Sequence, residues 1–276
     1  MAEKENSSKQ SDKLKLIIEK GSEVGGSVSG AVIGLAIAGP VGAIAGAAVG
    51  PIVGAAFNKI GTEISEKIMG PREQARIGAT YSLALEKIAL KLEKGMKVRN
   101  DDFFTAQEND RSKSESILEG TFLKARNEYE EKKIKCYSNF LANLSFDSSI
   151  SFEKGNALLR ILEQLTFRQL SILAYFSKIE ELSTKQWMES FKDNEKLGQY
   201  QDFYFELMDI YNKQLLQQPR RGFAMSATSL GISQLGKTMC DLIGVDEISE
   251  SDILKITNTI DSVNCILERS ATTNKN

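Results

Sequence analysis

The sequence predicts a mainly α protein with an N-terminal glycine-zipper helical hairpin, long connecting helices and a compact C-terminal helical module holding at most a small β-hairpin. Three observations carry this reading. Residues 24–57 hold no charge and set glycine at every fourth position in two runs. Apolar residues recur at spacings of three and four through much of the remaining chain. The alternation of strand and helix that builds a large parallel sheet does not occur. The expected organisation is a polar segment 1–20, a membrane-active hairpin 21–70, long helices 71–145 and a regulatory or sensing module 146–276.

Composition narrows the function classes. The 276 residues are 41% hydrophobic and 26% charged, as in a globular protein. Lys and Arg number 35 against 37 Asp and Glu, so no global basic field exists to hold nucleic acid. Histidine is absent. That removes Ser-His-Asp and Cys-His nucleophile systems and His-ligated zinc sites. Cys136, Cys240 and Cys265 are odd in number and lack a CxxC spacing, which reads as reduced, mostly buried thiols. No enzyme activity, cofactor or metal is expected.

The uncharged stretch from Val24 to Phe57 runs 34 residues, with nine Gly, nine Ala and eleven Val, Ile or Leu. Gly26, Gly30 and Gly34 lie four apart, and so do Gly42, Gly46, Gly50 and Gly54. Residues four apart share a helix face, so each run draws a stripe without side chains. In lipid such a stripe lets two backbones approach closely and gain van der Waals contact. In water each glycine costs about 1 kcal/mol of helix stability relative to alanine. Gly39-Pro40 is a turn dipeptide, which predicts helical arms over 24–38 and 41–57, with Pro51 a kink in the second. Each arm would be about 22–26 Å long, slightly short of a hydrocarbon core of about 30 Å.

Lys13, Lys15 and Lys20 precede the stretch, and Lys59, Lys67, Arg72 and Arg76 follow it. Basic residues at both ends favour a hairpin with both ends on the cytoplasmic side over a single kinked span. Val, Ile, Leu and Phe each contribute about −0.3 to −0.6 kcal/mol to insertion, so twelve of them give only a few kcal/mol. Such marginal insertion suits a segment hidden at rest that inserts and oligomerises on release. Competing readings are a close-packed hairpin in a soluble core, a passive tether, and a signal peptide ending near Ala36-Ile37-Ala38.

Beyond Gly70-Pro71, the recurrence of Ile77, Tyr81, Leu85, Ile88 and Leu92 predicts a helix through Lys94, ended by Gly95. Residues 95–112 read as a polar loop, with Arg99-Asn100-Asp101-Asp102 as an exposed linker. A long helix is expected from Ser114 to Leu144, with Leu118, Phe122, Ala125, Tyr129, Cys136, Phe140 and Leu144 along one side and its charged middle, Glu128 to Lys135, solvated. Further helices are expected around Leu158–Phe176, Phe203–Leu215, from Gln234, and over Ser251–Glu268. Pro219-Arg220-Arg221-Gly222 reads as a turn, with one or two short strands in Phe223–Ile232. Trp187 reads as a packing residue.

Gly231-Ile-Ser-Gln-Leu-Gly236-Lys237-Thr238 matches the phosphate-loop pattern GxxxxGK[ST]. In such a loop, backbone amides at a helix N-terminus cradle phosphates, the lysine meets the terminal phosphates and the threonine holds Mg²⁺. Only 38 residues follow Thr238, too few for a nucleotide-binding sheet. A turn followed by an amphipathic helix, with Leu235, Met239 and Leu242 facing a core, is the competing reading, and nucleotide binding is not expected.

Two resemblances follow from these residues. The stretch Gly26 to Gly54 resembles the glycine-zipper helical hairpins of bacterial membrane proteins and pore-forming peptides. Asn139-Phe140-Leu141-Ala142-Asn143-Leu144, then Leu165-Thr166 with Leu170, Ile172 and Leu173, then Leu230-Gly231 and Leu235-Gly236 with Met239-Cys240, is similar to the bacterial abortive-infection alpha family over about 130–245. The second resemblance implies a role in stopping phage spread by disabling the infected cell, and it transfers no catalytic residues. Together they imply a membrane-disrupting effector, cytoplasmic at rest and in the inner membrane when active. Its partners would be membrane lipid, further copies of itself and an activator or inhibitor protein of the same defence system. The alternative is a soluble or membrane-tethered helical interaction module without pore activity.

Overall fold

The computed structural model describes residues 50–106, 111–184, 187, 195–218, 220–221, 224–225 and 229–273. These form a mainly α protein with a small antiparallel sheet, as the apolar spacing predicted. They group into two compact units divided between Gln164 and Leu165. The expected boundary at 145/146 lies one helix earlier.

In the first unit, helix α1 (Pro51–Ser65) starts abruptly. Gly50 precedes it at φ 80° and ψ 155°, a left-handed backbone that favours glycine, and Pro51 takes the first helical position, where a missing N–H costs nothing. The expected arm over 41–57 is therefore not continuous: at Gly50 the backbone leaves the helical region, and the rest of that arm lies outside the described residues. From Pro51 onward the chain belongs to a hydrophobic core. Val53, Ala56, Phe57, Ile60 and Ile64 of α1 are all buried.

Helix α2 (Pro71–Glu93) repeats the proline start. The Gly70 N–H donates to Glu73 Oε2 at 2.7 Å, and Gly95 follows the helix at φ 82°. Ile77, Tyr81, Leu85 and Ile88 are buried and Leu92 half-buried, so the three-and-four spacing faces inward as expected. Helix α3 (Lys113–Asn127) opens with a reciprocal cap: Ser112 Oγ accepts from the Glu115 N–H and Glu115 Oε2 accepts from the Ser112 N–H, each at 3.2 Å. The rings of Phe57, Tyr81 and Phe122 join α1, α2 and α3 in a triangle with centroids 5.6–6.2 Å apart. Burying each ring contributes about 1.5–3 kcal/mol, and each well-placed ring pair adds about 0.5–1.5 kcal/mol. Burial pushes the Tyr81 phenol up to about 12, and its hydroxyl donates to Asn58 Oδ1 at 2.8 Å.

The long helix expected over 114–144 is broken. The chain leaves α3 at Asn127 and starts α4 (Lys133–Leu144) after a turn. The charge-dense middle is not wholly solvated either. Glu128 and Lys133 are both buried, with Lys133 Nζ 2.5 Å from Glu128 Oε2. Glu128 also accepts from the Tyr137 hydroxyl and the Glu130 N–H, while Lys133 donates to the Glu163 carbonyl at 3.2 Å. Tyr129, expected on the apolar side, is 78% exposed because the turn brings Glu128 inward in its place. Nor is Arg99 part of an exposed linker. Its side chain is buried, grips Asp101 through Nε (2.8 Å) and Nη2 (2.5 Å), donates to the Leu144 and Ile150 carbonyls, and lies over the Phe103 ring. Helix α5 (Phe152–Gln164) closes the unit against α3 and α4, with Gly155 set close to the Leu144 side chain.

The second unit holds α6 (Phe167–Phe176), α7 (Gln201–Asn212), α8 (Gln234–Ile243) and α9 (Glu250–Thr273). Strand β1 (Leu182–Ser183), strand β2 (Leu216–Gln217) and strand β5 (Ser229–Ile232) form an antiparallel sheet in the order β1-β5-β2. Strands β3 (Arg220–Arg221) and β4 (Ala224–Met225) pair separately. Arg220 and Arg221, expected within a turn, are thus a strand. Trp187 is buried and its Nε1 donates to Asn264 Oδ1 on α9 at 3.1 Å, in keeping with a packing role. Cys136 and Cys240 are buried thiols and Cys265 is exposed, all unpaired. Burial pushes Cys136 and Cys240 up to about 12, so neither is a nucleophile at neutral pH.

Two outcomes test these interactions. Lys133→Met strands a buried carboxylate and is expected to cost about 3–5 kcal/mol in urea unfolding, whereas Glu128→Gln with Lys133→Met costs less than the single change. The Arg99 hydrogen bond holds the Asp101 carboxyl below the usual range, so its contribution is present above the ordinary carboxylate pKa and is lost as pH falls through the depressed one. Asp101→Asn should flatten the fall in unfolding midpoint between about pH 5 and pH 2.

Candidate functional site

Of the expected zipper residues, Gly26, Gly30, Gly34, Gly42 and Gly46, and the turn residues Gly39 and Pro40, lie outside the described residues. Gly50 and Gly54 are described, and they mark the junction between the uncharged stretch and the folded unit. Gly50 sits with open space around the position a Cβ would take, so its left-handed φ, and not crowding, is what calls for glycine. Gly54 lies on α1 and is buried. Among the described residues, no helix is long and apolar enough to cross a membrane.

The polar side of α1 is tied to α3 and the residues just before it. Lys59 Nζ meets Glu115 Oε2 at 2.8 Å, Arg111 bridges Glu63 (2.5 Å) and Glu119, and Lys67 reaches Glu119 at 3.3 Å. The junction thus has an apolar anchor on one face and a half-exposed ion-pair network on the other. Sequence reading missed this network, although its Lys and Glu residues fall on the polar sides of two apolar stripes, which is where such pairs form. Beside Phe57, a cavity of about 10 Å³ lined by Phe103, Phe104, Leu118 and Leu141 has room for one water and none for a small-molecule ligand.

The phosphate-loop pattern folds as strand, cap and helix. Gly231 and Ile232 belong to β5 and pair with Gln217 and Leu216. Ser233 caps α8: its Oγ accepts from the Gly236 N–H at 2.9 Å and donates to the Gln214 carbonyl at 2.6 Å. The Lys237 N–H is taken by the Ser233 carbonyl, and the Thr238 hydroxyl by the Gln234 carbonyl. Two of the amides a phosphate would need are therefore committed within the protein. The glycine at 236 has a packing reason of its own, since a Cβ there would stand 2.1 Å from the Leu215 carbonyl oxygen. Met239 and Leu242 face the core, and Leu235 is half-buried. Among the described residues no group of acidic or cysteine side chains has the arrangement of a metal site.

No protein family, no curated protein and no solved structure matches the chain. Two substitutions separate packing from phosphate binding at this motif. Gly236→Ala is expected to destabilise the fold by about 1–3 kcal/mol through overpacking against Leu215. Lys237→Ala, on an exposed position, is expected to leave the unfolding midpoint and the chain's response to added nucleotide unchanged.

Proposed function

We propose that the chain is a membrane-disrupting effector that inserts its glycine-rich segment and oligomerises along the stripes of Gly26, Gly30 and Gly34 and of Gly42, Gly46, Gly50 and Gly54. The observation that carries this is the uncharged run of 34 residues with glycines in helical phase. Helix α1 adds support, because it joins that run to a folded body with no intervening linker and is anchored there by Phe57. The resting form is cytoplasmic and the active form sits in the inner membrane. The resemblance of 130–245 to the abortive-infection alpha family supports phage defence as the setting, with an activator or inhibitor protein as trigger.

A second reading has its own observation. Val53, Gly54, Ala56 and Phe57 belong to the uncharged run and are buried in the first unit, as they would be if the whole run served a soluble interaction module. Dye release from anionic vesicles distinguishes the two. The effector reading expects release by the full chain, and loss of release both on deleting 21–49 and in Gly46→Leu, where a large side chain keeps backbones apart. Deleting 21–49 spares the buried residues of α1. Undiminished release by Gly46→Leu would sink the zipper mechanism, and absence of release by the full chain would favour the interaction module.

A further inference from the structure

Contacts among the helix termini fix which end of the first unit receives the uncharged run. Phe57, in the second turn of α1, lines a small cavity with Phe103 and Phe104 and with Leu141, Leu144 and Ser145 at the close of α4. Lys59 meets Glu115 in the first turn of α3. The residues that follow α2 belong here too: the Arg99 N–H donates to the Ser145 carbonyl at 3.0 Å, and Lys91 Nζ stands 5.2 Å from the centre of the Phe146 ring. The starts of α1 and α3 and the closes of α2 and α4 therefore share one end. The opposite end carries the α1–α2 connection and the α3–α4 turn, joined where Arg126 approaches Glu73 at 3.7 Å and Arg76 donates to the Arg126 carbonyl.

No polar spacer separates the run from this end. The run closes at Phe57, which is already buried, and Gly50 directly precedes Pro51, the first residue of α1. A run held in hydrocarbon up to Gly50 keeps this end of the unit at the bilayer surface, because consecutive Cα atoms lie only about 3.8 Å apart. Resting on the proposed function, we infer that this end is the membrane-facing surface of the first unit and seats on the headgroups of an anionic bilayer. Its exposed side chains fit that partner. Lys94-Gly95-Met96-Lys97 is exposed throughout, Met96 at 44%, and Ile52 in the first turn of α1 is 64% exposed. The two apolar side chains enter the interface while Lys94 and Lys97 meet lipid phosphates. Gly95 at φ 82° turns the chain out of α2, and Arg99 pins it back to the Leu144 carbonyl, so the exposed segment is held between two fixed points. Nearby, Asp101 is taken by Arg99 and Asp102 by Lys113, which leaves the lysines of the segment to face the lipid. Ile68 and Tyr129, also exposed, lie at the opposite end and supply the control.

A tryptophan placed at either end tests the seating. Full chains carrying Met96→Trp or Tyr129→Trp are bound to vesicles of phosphatidylglycerol and brominated phosphatidylcholine, and the unaltered chain gives the background of its one native tryptophan, the buried Trp187. Far-UV circular dichroism checks that each variant is folded. The expected result is loss of the Met96→Trp emission on the brominated vesicles, with that of Tyr129→Trp unchanged. Lys94→Gln with Lys97→Gln should weaken vesicle binding about tenfold, whereas Arg72→Gln with Lys132→Gln, at the opposite end, should leave it unchanged. Loss of emission by Tyr129→Trp, alone or together with Met96→Trp, would overturn the seating while leaving the membrane effector standing, as would bound protein in which neither is quenched. Weakening no greater in the first charge variant than in the second would also overturn it. No binding of the full chain to the vesicles would overturn the effector reading, and the seating with it.

Discussion

The backbone at Gly50-Pro51 is the constraint on which the placement of α1 in the first unit depends. A left-handed residue followed by one whose φ is fixed near −65° sets both the start of α1 and its direction of entry. With that start, a helix of 3.6 residues per turn brings Val53, Phe57, Ile60 and Ile64 to one face, and Phe57 meets Tyr81 and Phe122.

Burial in this unit is not confined to apolar groups, and the exceptions have a common logic. Glu128 with Lys133 and Arg99 with Asp101 both sit where the chain reverses, at the ends of α3 and α4. Turns leave carbonyls and amides without helical partners, and water cannot reach the buried ones. A charged side chain with several donors answers several such groups at once. Arg99 serves the Leu144 and Ile150 carbonyls, Lys133 the Glu163 carbonyl, and Glu128 the Glu130 amide. Each ion is paired, which offsets the desolvation that an isolated charge would suffer.

Helix α2 was legible in the sequence because its signals are local: a proline start, an apolar stripe and a glycine stop. The break between α3 and α4 was not, because an apolar stripe runs on through it and charged residues within a helix are ordinarily solvated. Only the tertiary position of Glu163 and Tyr137 makes Glu128 and Lys133 inward-facing. The strands Leu182–Ser183 and Leu216–Gln217 were illegible for a related reason. Two residues carry no period, and their pairing with β5 is fixed by partners 48 and 16 residues away in sequence, at Leu182↔Leu230 and Leu216↔Ile232. At the candidate site the positions of the glycines were plain, but what each glycine meets was not.

Glycine is the clearest case of one residue property with several uses. At Gly50 the missing Cβ permits a backbone angle, and at Gly236 it permits the Leu215 carbonyl to approach. Neither use needs a ligand. The phosphate-loop pattern contains Gly236 for a reason that strand and helix packing already supplies, so the motif carries no residual demand for a phosphate. The fourfold glycine spacing upstream of Pro51 is different in kind. A close approach inside a water-soluble core needs one glycine where two backbones cross, as at Gly236, whereas six glycines in two runs of fourfold spacing would suit contact along the length of a helix. In water that many glycines would disfavour the very helix that makes the contact, by about 1 kcal/mol each. In a bilayer an unpaired backbone amide is far more costly than that, so the helix holds and the stripe becomes an asset. The spacing is what supports the membrane setting proposed for the segment, and Pro51, just after Gly50, is where the described hydrophobic core takes up the chain.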